Sequence, residues 1–369
     1  MSVGFIYSKS LVNELDKNVK IEGRSEMVFS LIEAYNLFEN NSLKLINPVR
    51  SDDKHLNLFH SLEYIDYLKT CQIEFAEGDN DFGIGYDCPC IENLHDYASI
   101  VAGASITAAH LINTGMFKHV INWFGGWHHA KRNKASGFCY VNDIVLCIMK
   151  LRQKFSRVLY IDLDQHHGDG VQEAFEFTNK VLTLSFHKYM QGFFPGTGSI
   201  DDIGKGIGKY HSVNVPLKSG IGDTNFVLLF SSIFSKVLSV YKPEVIVVQC
   251  GADSLTGDPI DISDPLNLTL ESYTKCIELV INCRLPAIFL GGGGYNFANT
   301  SRLWCQLTAT IIGCKELKND IPEHEMFLKY APDYELLIEP GKVRDKNNHE
   351  YIDKILSTVV NNLDNININ

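Results

Sequence analysis

The chain has 369 residues, 45% apolar and 21% charged, a globular mixture long enough for one large core or two domains and unlike a disordered chain. Acidic residues number 44 against 33 basic ones, a net charge of −11, which argues against direct nucleic-acid binding and favours cationic partners. Ten cysteines are scattered with no secretory segment ahead of them, so they are expected as mostly buried, reduced thiols.

Residues 3–7 form a short apolar patch followed by lysine and acidic residues, which is not a signal peptide. No window is expected to be long and apolar enough to span a bilayer. The expectation is therefore a soluble, intracellular protein that binds no membrane. Nucleus and cytoplasm both stay open, because no dense Lys/Arg cluster marks an import signal.

The spacing predicts a helix over 97–114, with Asp96 as N-cap and Gly115 as stop, and then a strand over 120–123. A helix over 143–155 and strands over 158–162 and 181–186 follow. Beyond them come a helix over 225–240, a strand over 245–249, a helix over 271–283, a strand over 287–290 and a helix over 301–312. Short β-branched runs alternating with longer helical ones predict an α/β fold with a mostly parallel sheet flanked by helices on both faces. No linker or repeat divides the pattern, so residues 1–340 are read as one domain. Segments 78–87 and 253–267 read as loops. In the tail, 341–369, Ile352, Ile355, Leu356, Val359, Val360 and Leu363 predict a short docked amphipathic helix before an Asn-rich end.

In a parallel α/β sheet ligands sit beyond the carboxyl ends of the strands, and here four strand ends carry chemistry. The first is followed by Gly125-Gly126-Trp127-His128-His129, the second by Leu163-Asp164-Gln165-His166-His167-Gly168-Asp169. The later two lead to Gly251-Ala252-Asp253 and to Gly291-Gly292-Gly293-Gly294-Tyr295. If the extended conformation persists past Ile161, Asp162, Asp164 and His166 project to one side. Asp164 and His166 then offer a carboxylate and an imidazole, and Asp253 a third ligand. Three protein ligands with an open fourth position is the catalytic zinc pattern, although the oxygen-rich set also suits Fe(II) or Mn(II). Taken alone, Asp253 reads more readily as a helix cap than as a ligand.

A water attacking a carbonyl needs a base, and the leaving group needs an acid; a histidine tuned near neutrality serves both. Two adjacent imidazoles repel when both are charged, so His128 and His129 are each expected to have an orienting carboxylate, with Asp162 and Asp169 as the candidates. The four glycines lack the spaced G-x-G-x-x-G arrangement of a dinucleotide cradle. They are expected to deliver Tyr295 toward a developing oxyanion, with a core tyrosine as the plainer reading.

These stretches, together with Ala135-Ser136-Gly137-Phe138-Cys139-Tyr140 and Phe193-Phe194-Pro195-Gly196-Thr197-Gly198, resemble the class I zinc-dependent histone deacetylases from about residue 3 to 335. The resemblance implies the arginase/deacetylase fold, hydrolysis of N6-acetyl-lysine in histones and other proteins, and a part in chromatin and transcriptional regulation. Position by position, Asp164, His166 and Asp253 match the zinc ligands. His129 matches the general base and acid, His128 its electrostatic helper, Asp169 and Asp162 their carboxylate partners, and Tyr295 the carbonyl-polarising phenol. Asp87 matches a rim carboxylate, while Gly137, Phe138, Phe194 and Ile260 fall in the substrate channel. Family members also bind K+ near the zinc, which here involves Asp162, His166 and Ser185, and Fe2+ is a possible metal in the cell.

Departures place the chain near the branch of the eighth human isoform, which requires no corepressor complex. The early stretch is Lys20-Ile21-Glu22-Gly23-Arg24, and Arg24 matches an internal-channel arginine. Ile260 replaces the usual Leu or Met, 263–267 lengthen that loop, and Met190-Gln191 replaces a Ser-Pro pair. A two-manganese hydrolase of the same fold needs a carboxylate two residues after Asp253, where this chain has Leu255. An acetyl-lysine reader without turnover finds no support while His128, His129 and Tyr295 are all present, and a deacetylase of acetylated polyamines stays open.

Overall fold

The computed structural model describes residues 2–71, 81–85, 87–314 and 317–366. One sheet holds β1 (Val3–Ile6), β2 (Leu43–Ile46), β3 (His119–Asn122), β4 (Val158–Asp162), β5 (Val181–Lys188), β6 (Ser212–Leu217), β7 (Val245–Gln249) and β8 (Ala287–Leu290). Their order is β2-β1-β3-β8-β7-β4-β5-β6, with every pairing parallel. Every residue of the strands inside the two edges is buried, so both faces are covered, as parallel sheets require. The α/β sheet fold is the arginase/deacetylase arrangement that the resemblance implies.

Three strands escape the periodicity. β1 is only the four-residue patch at the start of the chain. β2 and β6 are the sheet edges; β2 exposes Lys44 and Leu45, and β6, although buried throughout, tolerates Pro216. β3 ends at Asn122, one residue before the expected end, and Trp123 instead stacks on Trp304 with ring centroids 5.6 Å apart. The helix expected at residue 97 starts at Leu94, after Asn93 in the left-handed region; Asp96 lies in its first turn and does not cap it. There the carboxylate meets the positive end of the helix dipole. Gly115 follows the end with φ 72°. The next helix, Asp143–Leu151, stops short of residue 155 and is capped by the Asn142 side chain.

The expectation that no window is apolar enough for a bilayer fails at the helix Asp223–Tyr241, which by length and composition alone is long and apolar enough to cross one. The apolar character serves the core: Phe226, Phe230 and Phe234 are buried, and the first two pack on Phe186 of β5. The tail helix, His349–Leu363, buries Ile352, Ile355, Val359 and Leu363 against β6 and Asp223–Tyr241. Its Asn-rich end from 367 on lies outside the described residues, as do 72–80 and 86 of the first expected loop and the segment before it. The second loop contains a single 3-10 turn, Pro259–Asp261.

Candidate active site and metal centre

Register fixes the site. Asn122 of β3 pairs with Leu290 of β8, Leu290 with Gln249 of β7, and Gln249 with Asp162 of β4. Four adjacent central strands thus end on one level, and the loops that leave them meet over a pocket of about 390 Å³. His128, His129, Asp164, His166 and Tyr295 line it, with Phe138, Phe194 and Ile260 nearer the mouth.

Asp162, Asp164 and His166 do not share a side by strand alternation, because β4 ends at Asp162. The chain curls instead: the Asp164 N–H donates to Asp162 Oδ1 at 3.2 Å, and the His166 N–H to Asp164 Oδ1 at 3.0 Å. Asp162 turns behind the pocket, while the carboxylates of Asp164 and Asp253 and the imidazole of His166 converge, with donor atoms within 4.8 Å of one another. His166 Nδ1 is 2.9 Å from Asp253 Oδ2 and 3.3 Å from Asp164 Oδ1. Gln249 donates to Asp164 Oδ2 at 2.8 Å, and the backbone N–H of Gln165 to Asp253 Oδ1 at 2.9 Å. Burial and the Asp164 charge push Asp253 up to about 7. Against burial, the two carboxylates lift the His166 imidazole to about 10, so the cluster favours a cation at its centre, and the two-oxygen, one-nitrogen set fits a divalent ion such as zinc or iron(II).

Beside the triad stand the paired histidines. His128 Nδ1 lies 2.8 Å from Asp162 Oδ2, His129 Nδ1 lies 2.7 Å from Asp169 Oδ1, and the two Nε2 atoms are 2.9 Å apart. Burial disfavours the His128 cation, but Asp162 and Asp164 outweigh it and lift the group to about 9. Burial and the neighbouring His128 charge press His129 down to about 4 in spite of Asp169. One imidazole is thus held as a cation and the other as a neutral base.

The glycine run brings backbone against the carboxylates: Gly293 N–H donates to Asp164 Oδ2 at 3.0 Å, and a Cβ there would stand 2.6 Å from Asp253 Oδ2. Two residues on, Tyr295 meets Phe138 edge to face, ring centroids 5.7 Å apart. Burial pushes its phenol well above the ordinary range, so it stays protonated and can only donate or accept as O–H. Arg24, buried beneath, donates to the carbonyls of Gly292 and Gly294 at 3.0 Å each. Asp87 is exposed at the mouth and accepts from the Gly137 N–H at 2.6 Å. Gly137 has φ +54°, and a Cβ there would strike the His129 ring. Phe194 packs edge to face on His129, centroids 4.9 Å apart. Asp162 and Ser185, expected near K+, are register partners on β4 and β5. Leu255 is buried and offers no second carboxylate.

Sequence reasoning missed five supports. Tyr160 donates to Asp162 Oδ2 at 2.6 Å, legible as the i, i+2 neighbour on one strand face. Gln249 reads in the sequence only as a strand end. Lys131 pairs with Asp169 at 2.7 Å, and Asp258 accepts from the N–H groups of Tyr295 and Asn296 at 2.7 and 3.0 Å; both are long-range contacts with no local signal. Phe193 stacks flat on His166, centroids 5.1 Å apart.

Residues 19–311 match the Histone deacetylase domain family. Histone deacetylase 8 of Danio rerio is 44% identical over 371 residues, 99% of this chain and 96% of that protein. Histone deacetylase 8 of Xenopus tropicalis is 45% identical over 367 residues, 97% of each. Histone deacetylase 1 of Homo sapiens is 40% identical over 344 residues, 92% of this chain and 70% of its own length. The chain belongs to the histone deacetylase family, resembles its class I members named histone deacetylase 8, and is a metal-dependent deacetylase, a hydrolase.

Proposed function

We propose that this enzyme hydrolyses N6-acetyl-lysine in histone tails and other proteins, with Asp164, His166 and Asp253 holding zinc, or Fe2+ in the cell. The reading rests on the convergence of that triad with a cationic His128, a neutral His129 and the Tyr295 phenol in one pocket. When bound, such an ion would supply Lewis acidity to the acetyl carbonyl and the attacking water. His129 takes the proton from that water, Asp169 orienting its ring through Nδ1. His128, kept charged by Asp162, stabilises negative charge as it builds. Tyr295 donates its O–H to the tetrahedral oxygen, and His129 then returns the proton to the departing lysine amine. Acetate and free lysine result.

Phe138 and Phe194 form walls for a methylene stem, Gly137 leaves room beside His129, and Ile260 and Asp87 meet the substrate at the mouth. K+ fits a structural role beside Asp162, Ser185 and His166. The net charge of −11 suits lysine-rich substrates, with no direct nucleic-acid or membrane partner. The class of substrate supports residence in nucleus and cytoplasm, and the resemblance supports activity without a corepressor complex.

Turnover of an acetyl-lysine histone-tail peptide, measured beside Tyr295→Phe, tests this. The wild type should release acetate, and the variant should lose about 10²- to 10³-fold in kcat with unchanged metal content. A folded, metal-loaded wild type that releases none would overturn the substrate and favour acetylated polyamines or a reader.

A further inference from the structure

Away from the pocket, two half-buried thiols face one another. Cys71 caps the C-terminus of the helix Leu62–Thr70, Cys90 follows the segment that carries Asp87, and their sulfurs are 2.7 Å apart. Both thiols are free and partly open to solvent. The backbones behind them are already fastened without the sulfurs: Tyr64, on the same helix, donates its O–H to the Tyr140 carbonyl at 2.6 Å, and Tyr140 donates its own to the Pro89 carbonyl at 2.6 Å. A bond of about 2.05 Å needs only roughly 0.7 Å of further approach between the sulfurs. Cys88 and Cys139, by contrast, are buried, and Cys139 lines the active-site pocket.

We infer that Cys71 and Cys90 are a site of reversible oxidation, at which a hydroperoxide converts the two thiols into a disulfide that ties the end of the helix Leu62–Thr70 to the Asp87 segment. The site stands on this geometry alone, whatever substrate the pocket takes. Burial and the hydrogen bond with Cys71 push Cys90 up to about 12, so Cys90 keeps its proton and Cys71 reacts first. The Cys71 thiolate attacks the peroxide, forming an S–O bond and breaking O–O; hydroxide leaves and takes up a proton as water. The Cys90 sulfur, losing its proton, then attacks the Cys71 sulfur, forming S–S and breaking S–O, and a second water leaves. Two thiols and one hydrogen peroxide give one disulfide and two waters.

The test treats the purified full chain with limiting hydrogen peroxide, alkylates the remaining thiols and maps peptides by mass spectrometry without reductant. The expected result is a linked Cys71 and Cys90 peptide pair, two hydrogens lighter than the free pair, with titratable thiols falling from ten to eight and returning on reduction. Cys71→Ser should keep its nine thiols at the same dose, whereas Cys90→Ser should lose Cys71 alone, as its sulfenic acid, and neither variant should give a linked peptide pair. Retention of all ten wild-type thiols at a dose that oxidises free cysteine would overturn the inference. So would a bridge between other cysteines, such as Cys88 and Cys139, or sulfinic acid at Cys71 without a bridge.

Discussion

His128 and His129 meet Nε2 to Nε2 at 2.9 Å, and each holds a different carboxylate through its other ring nitrogen. Only one of the two can carry a proton into that contact without facing a like charge. Asp162 lies fully buried behind His128, so the charge settles there and His129 is left neutral, able to accept. The asymmetry between identical side chains thus comes from where two aspartates sit, Asp162 at the end of β4 and Asp169 at the start of the helix Asp169–Phe175.

His129→Ala should therefore lower kcat by about 10³-fold, within the range for loss of a general acid and base. Asp169→Asn keeps an acceptor for His129 Nδ1 but removes the charge and the Lys131 partner. It should cost about tenfold to a hundredfold in kcat with little change in KM, read by steady-state kinetics; wild-type kcat in Asp169→Asn would contradict its orienting role.

Gly137→Ala sets a side chain in the left-handed region and drives its Cβ into the His129 ring. Backbone strain of about 1–2 kcal/mol should appear as a lower Tm, and displacement of His129 as a loss of kcat. Gly115→Ala, at φ +72° with open space around the new Cβ, should share the strain and keep the activity.

Lys188, buried on β5, forms a close ion pair with Asp261 beside Ile260 and donates to the Asp264 carbonyl at 2.6 Å. Lys188→Met leaves the Asp261 carboxylate without its partner and should destabilise the fold by about 3 kcal/mol, measured by denaturant unfolding. Adding Asp261→Leu should recover much of that loss, because the stranded charge is gone.

Burial presses His60, His119 and His187 down to about 4 from the ordinary 6.5. The unfolded chain takes up these protons near pH 6.5 and the folded chain only near 4. Their contribution is therefore complete above pH 6.5 and is lost as the pH falls toward 4. Each should contribute a slope of up to about 1.4 kcal/mol per pH unit. His60 accepts from the Asn142 N–H through Nε2, a role glutamine can fill, so His60→Gln should reduce the slope of stability against pH over that window. An unchanged slope would show that His60 titrates alike in both states.

The four clustered strand ends were legible because parallel strands end together, and each cluster followed a β-branched run. That His128 and His129 each take one of Asp162 and Asp169 was legible because two charges need two partners, while which aspartate goes with which histidine is legible only through the family resemblance. The path past Asp162 was not, since the Asx-type turns that curl it depend on local hydrogen bonds and not on period. β1 was too short for alternation to register, and β2 and β6, as edges, carry polar residues that blur it. Asp258 and Lys131 act across more than thirty residues, a distance at which composition says nothing about contact.

The most direct test is metal content and acetyl-lysine turnover measured together on wild type and Asp253→Ala after chelation and zinc add-back. One zinc per chain and restored turnover are expected in the wild type, with neither regained in Asp253→Ala. Sustained, metal-independent turnover in a folded Asp253→Ala would contradict the metal centre and the chemistry built on it.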